Sequence, residues 1–466
     1  MYIQHDLDEL FFTSDGAGDL ARGALEDVWT TVNFQRSTET SIGKLLEFRP
    51  KHHLMIAEYW TGWFDYWGGK HKTGADFPYG TDAPYLADEF ERDLEKILLQ
   101  NEQEISINLY MFFGGTNFGF TSGAHHFPTS KFSPLVTSYD YDAPMTEAGD
   151  PSPKYYAVQR VLAKFYEKYP NLLIYNHPRT SVDKFEIETP TVSAKVAFGS
   201  MPVIGYKTFE QILEDDLLAV QTDIEKGPLN MESIHTKTIP HGLHQGFIVY
   251  TSNEIEKHFE NHQERVMKIT QIADNAIIMV NDRVIYASNH TDNEFEVTLP
   301  NDTKKLVILV ENMGRMNFGP SLALSQKGIL GKVLLDSKLE LTQWKIHGLE
   351  FRKGMSSITG WNPLEKIEMK EQTNNLSNGP RIFNIPFEIT EEKLIADTYL
   401  SLNAQWTKGV AFINGFNLGR YWKIGPQRTL YIPKELLVKG FNQIQIFELY
   451  TWGGTIELVD VPVINA

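Results

Sequence analysis

The sequence predicts an α/β domain followed by all-β domains, and three observations predict it. Through residues 1–172 strand-like and helix-like segments alternate four times, the pattern of a parallel sheet with helices outside it. From about Asn171 the texture changes through Pro178, Pro190 and Pro202, which reads as a linker and domain boundary. Beyond it come short alternating strands without a strong helix, the pattern of a β-sandwich or jelly roll.

Leu10-Phe11-Phe12-Thr13 is a β-rich run that ends at the turn Ser14-Asp15-Gly16, and Trp29-Thr30-Thr31-Val32-Asn33-Phe34 is a second. Thr38 to Phe48 carries Ile42, Leu45, Leu46 and Phe48 near helical spacing before Pro50 stops it. Leu54 to Trp60 is the third strand, followed by the glycine- and aromatic-rich loop Gly62 to Gly80 and an amphipathic helix with Leu86, Phe90, Leu94, Ile97 and Leu98 on one face. Ser106-Ile107-Asn108-Leu109-Tyr110-Met111-Phe112-Phe113 is the fourth strand. A long loop through Tyr139-Asp140-Tyr141-Asp142 then precedes the helix Pro153 to Tyr169, with Val158, Val161, Leu162 and Phe165 on its inner face. An eightfold (β/α)8 TIM barrel takes about 250 residues, so residues 1–172 with four strands correspond to half of one. In such a barrel the chemistry sits at the carboxyl ends of the strands. Glu58, Tyr110 and the loop bearing Tyr141 all fall at or just past such ends.

In the β portion two stretches resemble each other. Asn275-Ala276-Ile277-Ile278-Met279-Val280-Asn281-Asp282 is followed by Leu306-Val307-Ile308-Leu309-Val310-Glu311. Gly409-Val410-Ala411-Phe412-Ile413-Asn414-Gly415 is followed by Asn442-Gln443-Ile444-Gln445-Ile446-Phe447-Glu448. Each couples an apolar strand ending in Asn and a turn with a second strand ending in Glu, which predicts two β modules of one kind. The expected division is a partial barrel over 1–172, a linker over 173–190, and β-sandwiches over 191–340 and 341–466.

A net charge of -17 repels nucleic acid and anionic membranes and favours a neutral ligand. The absence of cysteine removes disulfides, thiolate metal sites and cysteine nucleophiles together. No stretch reaches the roughly 18 consecutive apolar residues of a membrane helix. Tyr2-Ile3-Gln4-His5-Asp6-Leu7-Asp8 lacks the basic start and apolar core of a signal peptide. Asn289, Asn301 and Asn375 each head an Asn-x-Ser/Thr sequon, usable only in a secretory compartment. The adjacent pairs His52-His53 and His125-His126 read as packed or solvated histidines rather than a metal site, because neighbours on a strand face opposite ways. No cofactor is expected.

The richest stretch is Met55-Ile56-Ala57-Glu58-Tyr59-Trp60-Thr61-Gly62-Trp63-Phe64-Asp65-Tyr66-Trp67-Gly68-Gly69. One carboxylate ends an apolar run and is followed by aromatic residues and glycines, as an acid at the lip of a sugar pocket requires. The same run equally fits a buried strand with an incidental Glu and a Trp-rich core turn.

Taken with the Tyr110 to Gly119 stretch and Ser138-Tyr139-Asp140-Tyr141-Asp142-Ala143-Pro144, in this order, it closely resembles glycoside hydrolase family 35. The whole chain looks like the C-terminal two thirds or so of an animal β-galactosidase-like protein. Val310-Glu311-Asn312-Met313-Gly314-Arg315-Met316-Asn317-Phe318-Gly319 and Phe412-Ile413-Asn414-Gly415-Phe416-Asn417-Leu418-Gly419-Arg420-Tyr421-Trp422 extend the resemblance into two galactose-binding-like β domains. The resemblance implies retaining hydrolysis of terminal β-D-galactosides by two carboxylates about 5 Å apart. It implies Glu58 as the nucleophile, Trp60 and Trp63 as walls of the pocket, and Tyr110 and Tyr141 as contacts near the nucleophile and the sugar. Some relatives carry Tyr where Trp60 stands. Glu147 belongs to the family pattern and reads as a structural carboxylate.

The family's acid/base lies in an Asn-Glu-Tyr-Gly stretch upstream of the nucleophile, and this sequence has none. Asn101-Glu102-Gln103-Glu104 ends an outer helix and Glu311-Asn312 lies in a β module, so neither replaces it. The isolated chain is therefore predicted to be inactive, and poorly folded through its open sheet edges, unless it is part of a longer protein or pairs with another chain. The alternative expectation is a non-catalytic protein that binds glycans with the β modules and the remaining pocket. Relatives are lysosomal or secreted; oligomeric state is not legible.

Overall fold

The computed structural model describes residues 9–71, 84–101, 104–126, 131–172, 191–224, 226–235, 240–319, 321–351, 355–366 and 379–464. The expected linker 173–190 and the sequon at Asn375 lie outside the described residues.

The first domain is a four-stranded parallel sheet whose strands follow chain order: β1 (Phe12–Gly16), β2 (Trp29–Phe34), β3 (Leu54–Trp60) and β4 (Ile105–Tyr110). The connections run through α1 (Thr38–Phe48) and α2 (Ala87–Glu95), and α3 (Pro153–Lys168) follows β4. Of the expected stripe α1 buries Ile42 and Leu45, together with Thr38 and Ser41, while Leu46 and Phe48 pack against the core only partly buried. α2 continues as a π-helical turn, Lys96–Gln100, and Ile97, seven residues after Phe90, lies in the same buried line as Phe90 and Leu94. α3 begins at Ser152, whose hydroxyl accepts from the Lys154 amide at 3.2 Å, with Pro153 in the first turn where its missing N–H costs nothing. Val32, Phe34, Ile56 and Tyr59 on the strands close one core with Ile42, Leu45, Phe90, Val158 and Val161 on the helices. Two strand ends differ from expectation. β1 runs through Ser14-Asp15-Gly16 because the parallel ladder to β2 holds that segment extended, and β4 stops at Tyr110 where its ladder to β3 stops.

The β portion contains two sandwiches. In the first, a six-stranded sheet holds β7 (Val220–Ile224), β8 (Phe247–Ser252), β10 (Asn275–Val280), β11 (Arg283–Ala287), β13 (Leu306–Glu311) and β16 (Trp344–Leu349) in the order β11-β10-β13-β8-β16-β7. It faces a four-stranded sheet of β9 (Arg265–Ile269), β12 (Phe295–Leu299), β14 (Val333–Leu335) and β15 (Leu339–Glu340), ordered β12-β9-β14-β15. Ile248 and Tyr250 of β8 pack into this sandwich with Met267 and Leu299, while Phe247 and Val249 face the other way onto Val410, Phe412 and Phe447 of the second sandwich. Burial on both faces is why β10 and β13 read as continuous apolar runs rather than alternating ones.

The second sandwich pairs a five-stranded sheet with a four-stranded one. The first is β20-β19-β22-β17-β6, made of β6 (Gly205–Lys207), β17 (Arg381–Ile389), β19 (Lys408–Ile413), β20 (Phe416–Trp422) and β22 (Gly440–Glu448). The second is β21-β18-β23-β5, made of β5 (Gly199–Pro202), β18 (Thr398–Ser401), β21 (Thr429–Ile432) and β23 (Thr455–Val459). The strand pairing thus divides differently from the expected boundaries at 191–340 and 341–466. β5 and β6 add to the edges of the second sandwich, Met201 against Ile456 and Tyr206 against Phe383, and β16 lies inside the first beside β8. Partner strands so far apart in sequence leave no local signature.

Candidate active site

The site is built at the carboxyl end of the parallel sheet. Between Ile56 and Tyr59 the β3–β4 ladder shifts register, and the Asn108 side-chain amide donates to the Ala57 carbonyl at 3.0 Å across the gap. Such an irregularity re-aims side chains, and here it spans Glu58. Tyr59 turns toward the helices and stacks with Phe90, 5.9 Å between centroids. Glu58 and Trp60, two residues apart, share the opposite face, and the Trp60 indole N–H donates to Glu58 Oε2 at 2.8 Å. This bond fixes one carboxylate oxygen.

Trp63 meets Trp60 edge-on at 5.4 Å and donates from Nε1 to the Tyr66 hydroxyl at 3.0 Å, which in turn lies 2.7 Å from His125 Nδ1. Burial pushes the His125 imidazole down to about 4, so it is neutral over most of the pH range, and Asn317 of the first sandwich hydrogen-bonds it. Tyr110 ends β4 in register with Trp60, and its hydroxyl pairs with that of Tyr139 at 2.9 Å. Tyr141 lies 5.9 Å from Tyr110, 6.1 Å from Trp63 and 5.0 Å from Phe64. It is 3 % exposed, and its hydroxyl meets no partner among the described residues. Burial first, then the nearby Tyr139, Tyr110 and Glu58, hold that phenol well above its ordinary range. Glu58, Trp60, Trp63, Tyr110 and Tyr141 are therefore brought together in one cluster at the strand ends.

Sequence reasoning missed the groups that hold the cluster. Tyr141 and Asp142 take left-handed backbone, φ 60 and 52, uncommon for residues other than glycine. The buried Lys154 ammonium secures this turn by donating to Asp142 Oδ2 at 2.7 Å, to the Asp142 carbonyl at 3.0 Å and to the Thr61 carbonyl at 2.6 Å. The only sequence signal was a lysine in the first turn of a helix, where the dipole disfavours a cation. A β-carbon at Gly62 would collide with the Tyr141 carbonyl oxygen, so only glycine lets the loop after β3 lie against this turn. Glu147 is buried and accepts from the Thr116 hydroxyl at 2.6 Å, and burial raises it to about 7. Among the described residues no three His, Asp or Glu side chains group as metal ligands, and no helix is long and apolar enough to cross a membrane. Asn289 and Asn301 are exposed.

Comparison with known proteins finds the same order of domains. Glycosyl hydrolases family 35 matches residues 3–165, the first all-beta domain of beta-galactosidase matches 228–350, and the beta-galactosidase galactose-binding domain matches 380–442. Beta-galactosidase-1-like protein of Mus musculus is 35% identical over 465 residues, covering 98% of this chain and 64% of the relative. Beta-galactosidase-1-like protein 2 of Homo sapiens is 33% identical, covering 97% and 63%, and beta-galactosidase of Bos taurus is 32% identical, covering 98% and 66%. The chain thus spans less than two thirds of the length of these relatives. With an α/β domain that carries a carboxylate and aromatic cluster, followed by two all-β domains in the same order, the chain belongs to glycosyl hydrolase family 35.

Proposed function

We propose that the chain carries the nucleophile-bearing part of a retaining β-galactosidase, with β1–β4 as strands five to eight of a TIM barrel. The observation that supports this most is the Trp60 indole on Glu58 Oε2 at the end of β3. One oxygen is held while the other is left to attack an anomeric carbon, and the aromatic faces of Trp63 and Tyr141 suit the C–H face of a galactose ring. The Tyr141 hydroxyl, buried and without a protein partner among the described residues, supplies a hydrogen bond to the sugar or to the nucleophile. No carboxylate of this sequence is assigned the acid/base role. Turnover of substrates with poor leaving groups by the chain alone is therefore expected to run about 10²–10⁴-fold below that of a form containing the acid.

A reagent that needs no acid separates these steps. 2,4-Dinitrophenyl 2-deoxy-2-fluoro-β-D-galactoside has a leaving group that departs unprotonated, so it should esterify Glu58 in the chain as it stands. Peptide mass mapping should place the added fluorogalactosyl mass on the peptide containing Glu58, and Glu58→Gln should remain unlabelled. Labelling of another carboxylate, or equal labelling of the variant, would remove Glu58 from the mechanism.

A further inference from the structure

A cleft of about 380 Å³ lies on the second sandwich, lined by Leu402, Ala404 and Trp406 from the β18–β19 connection and by Trp422, Lys423 and Arg428 between β20 and β21. Its volume falls within the range of small-molecule sites, and it shares no lining residue with the cluster around Glu58. Two cations and no carboxylate line it, in a chain whose net charge is -17. Walls of one sign concentrate the field inside a cleft and draw in ions of the other sign.

The Arg428 guanidinium is set to take an anion. Its Nη1 donates to the Lys423 carbonyl, which fixes the plane, while Nε and Nη2 meet no acceptor among the described residues. Those two N–H groups form the side-on fork that matches two oxygens of a carboxylate or a sulfate. Gly425 lies against the fork: a β-carbon there would stand 3.2 Å from Nε, Cζ and Nη2, so glycine leaves it room. The exposed Lys423 ammonium forms no ion pair among the described residues. Trp406 is held by its indole N–H on the Thr455 carbonyl at 2.9 Å, whereas the Trp422 indole N–H donates to nothing among the described residues. Apolar walls with donors beside them suit a sugar ring. We propose that this cleft binds an acidic sugar, a uronate or a sulfated hexose, with Arg428 gripping the charged group side-on and Lys423 adding to the field. The site anchors acidic glycans on the second sandwich, away from Glu58, and stands independently of the galactosidase reading.

The test is calorimetric titration of the whole chain with galacturonate, galactose 6-sulfate, galactose and inorganic sulfate. At least one of the two acidic sugars should bind about tenfold more tightly than both galactose and inorganic sulfate, and the tighter one identifies the charged group. Arg428→Gln should weaken that sugar about tenfold, and Arg428→Lys, which keeps the charge and loses the fork, about fivefold. Lys423→Gln, at the rim, should weaken it about twofold. Acidic sugars that bind no more tightly than galactose, or that bind Arg428→Gln as well as the wild type, would overturn the anion site. Inorganic sulfate as tight as either acidic sugar would overturn the assignment of a sugar, and full affinity in Arg428→Lys would overturn the side-on grip.

Discussion

Glu311 and Glu448 close corresponding strands of the two sandwiches, β13 and β22, and both are 2 % exposed, yet their burial is made tolerable in different ways. Glu311 faces two cations from the other sandwich, Lys408 at 2.7 Å and Arg420 at 3.3 Å, in ion-pair contacts rather than aligned hydrogen bonds. Glu448 forms no ion pair among the described residues. It accepts from the amides of Thr407, Lys408 and Tyr450 at 2.9, 3.2 and 2.8 Å and from the Tyr421 hydroxyl at 2.6 Å, and burial outweighs these donors and raises it to about 7. Lys408 serves both, its backbone N–H on Glu448 and its ammonium on Glu311. A carboxylate answered by cations joins two modules; one answered by dipoles becomes sensitive to pH.

Removing Glu311 should break the comparison most severely. Glu311→Ala leaves Lys408 and Arg420 buried without their anion, and the expected loss is about 3–5 kcal/mol in urea unfolding. A loss under about 1 kcal/mol would mean that the cluster does not hold the sandwiches together.

A pH dependence is expected at Glu448. In the unfolded chain this carboxyl ionises near 4.5, whereas burial keeps it protonated up to about 7 in the folded one. Below 4.5 its contribution is fully present, and it is lost as pH rises through 7, a difference on the order of 2–4 kcal/mol. Glu147 acts in the same direction, while the buried His125 and His290, both pushed down to about 4, lose their contributions as pH falls from 6.5. The wild-type curve therefore mixes signs, and the difference between wild type and Glu448→Gln isolates one group. A pH-independent difference between 4.5 and 7.5 would contradict the assignment.

The smallest effect is expected of Tyr421→Phe. Loss of one hydroxyl donor should cost about 1 kcal/mol at pH 5 and more at pH 8, because that donor favours the ionised carboxylate. Thermal melts at the two pH values check it, and equal shifts would place the hydroxyl outside the titration.

What the sequence disclosed follows the range of the interactions. α1 and β3 lie within their expected limits because apolar spacing, Pro50 and the β-branched runs act over a few residues. The gathering of Glu58, Trp60, Trp63, Tyr110 and Tyr141 at the ends of β3 and β4 followed from residue order. Lys154, which bridges the loop after β3 and the Tyr141 turn, was not, since its contacts lie in two segments distant from it. Nor was the Trp63–Tyr66–His125 chain, for Tyr66 and His125 stand 59 residues apart and no local pattern links them. The Glu311–Lys408–Arg420 cluster was invisible for the same reason: each residue alone looks like an ordinary surface charge.

The pairing of β5 and β6 has a consequence for synthesis. The second sandwich starts before the first and is completed after it, so the first is nested inside the second. As the chain leaves the ribosome, β5 and β6 emerge and wait while the intervening module is made, and they find their partners only once β17 and β23 are out. A polypeptide starting at residue 341 would lack both edge strands, leaving the borders of its two sheets open to any other strand that arrives first.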